Sequence, residues 1–170
     1  GIQFGSDPQM VSEVVARARR AARRPLWVKL SPNVTDIGAI ARAAEDSGAD
    51  ALTVANTYQA MSVDLQTRQS RLGRIMGGLS GPAIRPITLR LVYEASRAVN
   101  IPILGLGGIE RPEDVLEYMI VGATAIQVGT ANFAQPDVCE RLVQAVERYC
   151  KTNKVNKISS LISSIRVDCS

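Results

Sequence analysis

Apolar positions along the chain recur with two alternating periods. Val11, Val14, Val15 and Ala18 fall at helical spacing after Ser6, Asp7 and Pro8, residues that open helices. Arg23-Arg24-Pro25 stops that helix, and residues 26–30 (LWVKL) form a short, mostly apolar strand. Ile37, Ile40, Ala41 and Ala44 make a second helical stripe, opened by Thr35 or Asp36 and closed by Gly48. Residues 51–55 give the next strand, ending at Asn56-Thr57. Ile87, Leu91, Val92 and Ala95 mark a third helix behind Pro86. Residues 101–104 read as a strand running into Gly105-Leu106-Gly107-Gly108. Pro112, Glu113 and Asp114 start a helix whose apolar face is Val115, Leu116, Met119 and Ile120, and Gly122 ends it. Residues 125–128 form a fourth strand that stops at Gly129-Thr130. A further helix carries Val138, Leu142, Ala145, Val146 and Tyr149 inward, and Ile158, Leu161, Ile162 and Ile165 predict a short terminal helix.

The sum is a helix, then four strand–helix units, then a short helix. Such alternation specifies an α/β fold with a parallel sheet. Four βα units are about half of a (β/α)8 barrel of the TIM type. Residues 1–150 hold these units, and a polar, lysine-rich break separates them from the tail within 151–170. The connection over residues 58–85 is long for a compact domain; connections of that length are usually functional or disordered, and this one has some order of its own. Met61, Val63 and Leu65 alternate with polar residues as in a strand, and residues 71–75 are its expected hairpin partner. Its last part, Gly77-Gly78-Leu79-Ser80-Gly81, leads into a helix and is an anion-cradling candidate.

Composition narrows the chemistry. The chain has 170 residues, 46% hydrophobic and 21% charged, as in an ordinary one-domain globular protein. No apolar run is long enough for a membrane span, and the start resembles no secretory signal. It also lacks an initiator Met and reads as an internal piece of a longer chain. Cys139, Cys150 and Cys169 are odd in number and lack metal-ligand spacing, which suits free thiols in a reducing cytoplasm. With no histidine, the chain holds neither a Ser-His-Asp triad nor a His-ligated metal. Arg17, Arg19, Arg20, Arg23 and Arg24 crowd together without interleaved aromatics, so they read as a solvated helix face, not a nucleic-acid patch.

The candidate site lies at the strand ends. In a parallel barrel they share one rim, where ligands bind. Gly107-Gly108 and Gly129-Thr130 form a matched pair of glycine turns after consecutive strands, a pattern that favours a phosphate cradle over two ordinary turns. Lys29 sits among apolar neighbours. The pattern leaves open whether it snorkels to solvent or aims its charge at a ligand. Asn56-Thr57 is equally open between turn chemistry and substrate contact.

Five segments together resemble a known family. VKLSPNVTDI (28–37), ANTY (55–58), GGLSGPAIRPI (77–87), GLGGI (105–109) and GATAIQVGTANF (122–133) are similar, in order and spacing, to the catalytic subunit of class 1B dihydroorotate dehydrogenases. The SGPAI form of the third segment resembles class 1B more than the fumarate-dependent class 1A. The resemblance implies a TIM barrel that carries FMN at its C-terminal rim and oxidises dihydroorotate to orotate in pyrimidine synthesis. Electrons would pass to a partner subunit holding FAD and a 2Fe-2S cluster, then to NAD, within a heterotetramer built on a homodimer. It implies that Lys29 lies by the flavin, that Ala55 and Gly81 approach it, and that Gly107, Gly108, Gly129 and Thr130 hold its phosphate. Asn56 and Thr57 would bind orotate. The catalytic base of the family is a cysteine in an SCPN-like loop, expected upstream of Gly1; none of the three cysteines here matches it. Two alternatives share these positions: a related flavin barrel such as dihydropyrimidine dehydrogenase, and a half-barrel that binds a phosphate ligand without chemistry.

Overall fold

The computed structural model describes residues 4–166. Among these described residues, six strands and six α-helices follow in chain order: α1 (Pro8–Ala21), β1 (Trp27–Lys29), α2 (Ile37–Asp46), β2 (Ala51–Val54), β3 (Tyr58–Ala60), β4 (Gly77–Leu79), α3 (Arg85–Ala98), β5 (Ile103–Leu106), α4 (Pro112–Ile120), β6 (Ala125–Gln127), α5 (Ala131–Ala134) and α6 (Val138–Thr152). Strands β1, β2, β5 and β6 form one parallel sheet in that order, with Trp27 beside Ala51, Leu52 beside Ile103 and Leu104 beside Ala125. Each strand thus lies next to its predecessor in the βα series, and all four end on one edge.

The helix starts follow from local chemistry. Asp7 caps α1 by accepting from Met10 N at 2.9 Å, and Asp36 caps α2 by accepting from Ala39 N at 2.9 Å. The core runs through β2, whose Leu52 and Val54 are fully buried, and is closed by Ile37, Ile40, Leu91, Val92 and Ile103. Arg19 of the arginine cluster pairs with Asp50 at 2.6 Å, and Asp50 also accepts from Leu26 N. The Leu26 N–H and the Arg19 guanidinium hold the Asp50 carboxyl below its usual range.

Several expectations are corrected. Val14 is 49% exposed, Ala18 is exposed and Ile87 is 45% exposed, so the buried faces of α1 and α3 are narrower than their apolar stripes. The strand expected at 101–104 is β5, shifted to Ile103–Leu106, so Gly105 lies inside it. The Tyr118 ring explains that glycine: a Cβ on Gly105 would lie 2.5 Å from Tyr118 Cδ1. The hairpin in the long connection pairs β3 with β4 antiparallel, not 61–65 with 71–75. Beyond it only Val63 and Ser70 form a bridge, and Met61, Val63 and Leu65 are exposed. The expected terminal helix is a 3-10 turn, Ile158–Leu161. The chain after it docks on the end of α4, where Ser163 N donates to Met119 O at 3.1 Å and Ile165 N to Ile120 O at 3.2 Å. Ile158 and Ile165 are exposed there, while Leu161 and Ile162 pack on the core. Of the expectations at the chain ends, residues 1–3 and Cys169 lie outside the described residues.

Candidate functional site

The sheet ladder delivers the strand ends to one place. Leu30 N donates to Thr53 O at the end of β1, and Ala55 N donates to Leu106 O where β2 meets β5, both at 2.9 Å. Lys29 therefore stands beside the Ala55-Asn56-Thr57 segment, and that segment stands beside Gly107-Gly108. A cavity of about 230 Å³ opens at this rim. Lys29 lines it from β1, Ala55, Asn56 and Thr57 from the end of β2, and Gly107 and Gly108 from the end of β5. Gly129 and Thr130 contribute from the end of β6, and Gly81 from the loop before α3. All nine residues selected from the sequence share this one cavity. Lys29 is exposed at its mouth and not buried in the core.

Its shape is set by glycines. Gly108 has φ +69°, and a Cβ there would stand 2.7 Å from Gly81 O and 3.0 Å from Arg85 N. The β5 end and the loop before α3 therefore touch main chain to main chain, a closeness only glycine allows. A Cβ on Gly81 would meet nothing within 4 Å, and one on Gly129 only Leu106 Cδ1 at 3.9 Å. Both positions border open space. Among the described residues, the N–H groups of Gly108, Gly129 and Thr130 donate to no protein acceptor. Thr130 Oγ1 donates to Ser80 Oγ at 2.7 Å, which ties the β6 end to the loop before α3.

A polar layer lies beneath the rim. The fully buried Tyr118 donates its hydroxyl to Gly107 O at 2.6 Å. Thr88, equally buried, donates to Ile84 O at 3.0 Å and meets Tyr58 Oη at 3.1 Å. Burial pushes the Tyr118 phenol far above the ordinary tyrosine range. Burial also raises Tyr58, against the opposing pull of its Thr88 hydrogen bond.

A second cavity of about 340 Å³ adjoins the first and shares Lys29, Asn56 and Thr57 with it. Ser31, Asn33 and Gln59 line its other side. Asn33 holds the segment after β2: its Nδ2 donates to Thr57 O at 3.3 Å and its Oδ1 accepts from Gln59 N at 3.1 Å. Sequence reasoning missed Asn33 and Gln127 as site residues. Asn33 stood in the quoted SPNV segment as a loop residue, but its reach across to Thr57 is a tertiary fact. Gln127, on β6, was legible only as one position of a strand. Cys139 and Cys150 lie on α6 and line neither cavity. Among the described residues, no cluster of three His, Cys, Asp or Glu side chains could hold a metal, and no helix is long and apolar enough to cross a membrane.

Comparisons with known proteins bear on the family and the fold. A Pelobacter propionicus protein named dihydroorotate dehydrogenase B (NAD(+)), catalytic subunit, is 48% identical over 165 residues, covering 97% of this chain and 54% of its own length. A Solidesulfovibrio magneticus protein of the same name is 49% identical over 168 residues, covering 98% and 55%. A Solibacter usitatus protein, provisionally named dihydroorotate dehydrogenase A (fumarate), is 48% identical over 166 residues. The chain spans about half the length of these curated relatives. The crystal structure of DHODH from Eimeria tenella in complex with ferulenol superposes with a TM-score of 0.74 at 23% identity, over 93% of this chain and 48% of that one. That likeness shows the fold: the four βα units are part of a TIM barrel. The family profile described as dihydroorotate dehydrogenase matches residues 1–149, so the chain belongs to the dihydroorotate dehydrogenase family.

Proposed function

We propose that this chain is the FMN-holding half of a class 1B dihydroorotate dehydrogenase catalytic subunit. The complete protein oxidises dihydroorotate to orotate in pyrimidine synthesis. It passes electrons through a partner subunit with FAD and a 2Fe-2S cluster to NAD, in a cytoplasmic heterotetramer built on a homodimer. The observation that carries the reading is the convergence of Lys29, Asn56-Thr57 and the two glycine turns on one cavity at the C-terminal ends of four parallel strands.

The residues present fit FMN. Unpaired N–H groups at Gly108, Gly129 and Thr130 suit a phosphate, and the open space above Gly81 and Gly129 leaves room for a flat ring system and its chain. Gly107, Gly108, Gly129 and Thr130 would hold the phosphate, while Ala55 and Gly81 would approach the flavin. Bound there, FMN would supply the two-electron acceptor for the hydrogen leaving dihydroorotate. The Lys29 ammonium, on the border of the two cavities, favours negative charge on that side of the cofactor. The second cavity is the substrate chamber in this reading. Asn56 and Thr57 bind orotate's polar groups across its border, and Asn33 holds their main chain in place. The family resemblance puts the proton acceptor, a cysteine, in the part of the parent protein outside this sequence, and neither Cys139 nor Cys150 lines either cavity. The NAD-linked class rests on the SGPAI segment, because relatives named for both acceptors are equally similar.

The test is an FMN titration followed by flavin fluorescence, run on the complete protein and on this chain alone, with Gly107→Val as control. Saturable binding that Gly107→Val abolishes, together with dihydroorotate-dependent bleaching of the bound flavin, supports the reading. Absence of FMN binding by the complete protein would end it.

A further inference from the structure

The feature left unused by this reading is a buried carboxylate behind the glycine rim. Asp114, in the first turn of α4, is 1% exposed. Its Oδ2 accepts from Glu110 N at 3.0 Å and Arg111 N at 2.9 Å, closing the turn that follows Gly107-Gly108. Its Oδ1 pairs with the Arg85 guanidinium and lies 3.5 Å from Arg111 Nη2. Arg85 opens α3, four residues after Gly81, and its Nε lies 3.6 Å from Glu117 Oε2. Neither Asp114 nor Arg85 lines the cavity. Yet Arg85 N and Gly81 O are the atoms that crowd the position of a Cβ on Gly108. One carboxylate thus fastens the β5 turn to the loop before α3 where their main chains meet. A buried ion pair with further hydrogen bonds on the same carboxylate is directional and hard to replace by water.

We infer that Asp114 and Arg85 are positioning residues for phosphate recognition. Asp114 occupies the N–H groups of Glu110 and Arg111, and the Arg85 pair fixes the spacing between the Gly107-Gly108 and Gly81 segments. The N–H groups of the rim are thereby held for the ligand's phosphate. The inference rests on the FMN reading and assigns the pair to one part of that ligand.

The experiment compares FMN with riboflavin, which lacks the phosphate. Both are titrated into the complete apoprotein as wild type, Asp114→Asn, Arg85→Gln and the double variant, with thermal unfolding of each apoprotein measured alongside. In each single variant the preference for FMN over riboflavin falls by about tenfold, with riboflavin affinity within about twofold of wild type; the double variant loses no more than the worse single, as expected of one coupled pair. Arg85 is partly exposed, so Arg85→Gln carries the test if Asp114→Asn does not fold. An unchanged FMN-to-riboflavin ratio in a folded variant overturns the inference. So do equal losses for both ligands, which would mark a merely structural pair, or independent losses that multiply in the double variant. If the wild type binds neither flavin, the FMN reading itself has failed; if it binds FMN and the variants bind it equally well, only the positioning role has.

Discussion

Gly108 and Gly129 stand on the same rim but should respond to the same methyl group in opposite ways. In Gly108→Ala the new Cβ meets Gly81 O at 2.7 Å and both Arg85 N and Arg85 Cβ at 3.0 Å, at a φ of +69°. The left-handed backbone costs about 1–2 kcal/mol for a residue with a side chain. Forcing two main chains apart adds roughly 1–3 kcal/mol, the usual range for overpacking. The sum, about 2–5 kcal/mol, corresponds to a fall in melting temperature of roughly 5–15 °C for a domain of this size. In Gly129→Ala the methyl meets only Leu106 Cδ1 at 3.9 Å, without a left-handed φ. Its effect on stability should stay within about 0.5 kcal/mol. The methyl does stand at the cradle, so FMN binding should weaken by about tenfold or more, the equivalent of one displaced ligand contact. Thermal unfolding of the apoprotein by circular dichroism and flavin fluorescence titration read the two effects separately. A Gly108→Ala protein that melts with the wild type would refute the main-chain contact between the β5 end and the loop before α3. A Gly129→Ala protein that binds FMN as tightly as the wild type would refute the use of this rim as the phosphate cradle.

Three further outcomes follow from buried groups. Tyr118 has a folded-state pKa raised by burial, so its contribution to stability is complete below about pH 10 and is lost as pH climbs toward the folded value, at up to about 1.4 kcal/mol per pH unit. Urea unfolding from pH 8 upward should show that decline, and Tyr118→Phe should flatten it while costing about 1 kcal/mol at neutral pH for the lost hydrogen bond to Gly107 O. Thr88→Val removes the donor to Ile84 O and the partner of Tyr58 Oη, and should cost roughly 1–3 kcal/mol in the same assay despite its similar shape. Leu52→Ala, at a fully buried position in the middle of β2, should cost about 2–5 kcal/mol; a loss below 1 kcal/mol would show that the sheet centre repacks freely.

The sequence by itself determined the series of βα units and the approximate end of each parallel strand, with β5 ending two residues later than its apolar run. That information is local. Helix faces repeat every three to four residues, strands are short apolar runs, and glycine, proline and capping aspartates mark the boundaries. Because parallel strands share one C-terminal edge, Lys29, Asn56, Thr57, Gly107, Gly108, Gly129 and Thr130 at four separate strand ends could be assigned to one rim from the sequence pattern, and they line the one cavity together with Ala55 and Gly81, which the family resemblance added. Only the tertiary structure decided which part of an apolar stripe is buried. Val14 and Ile87 obey helical spacing yet face outward, because burial depends on the neighbouring element and not on the helix alone. The long connection shows the same limit. The alternation of Met61, Val63 and Leu65 imitates a half-buried strand, but pairing goes to Tyr58–Ala60 and Gly77–Leu79. There Gly78 leaves room for the Thr57 side chain, which no period in the sequence records. The supports beneath the site were equally illegible. Asn33 to Thr57 and Arg85 to Asp114 join residues far apart in sequence, Tyr118 to Gly107 joins α4 back to the end of the strand before it, and each becomes a contact only when the sheet sets its helices and loops side by side.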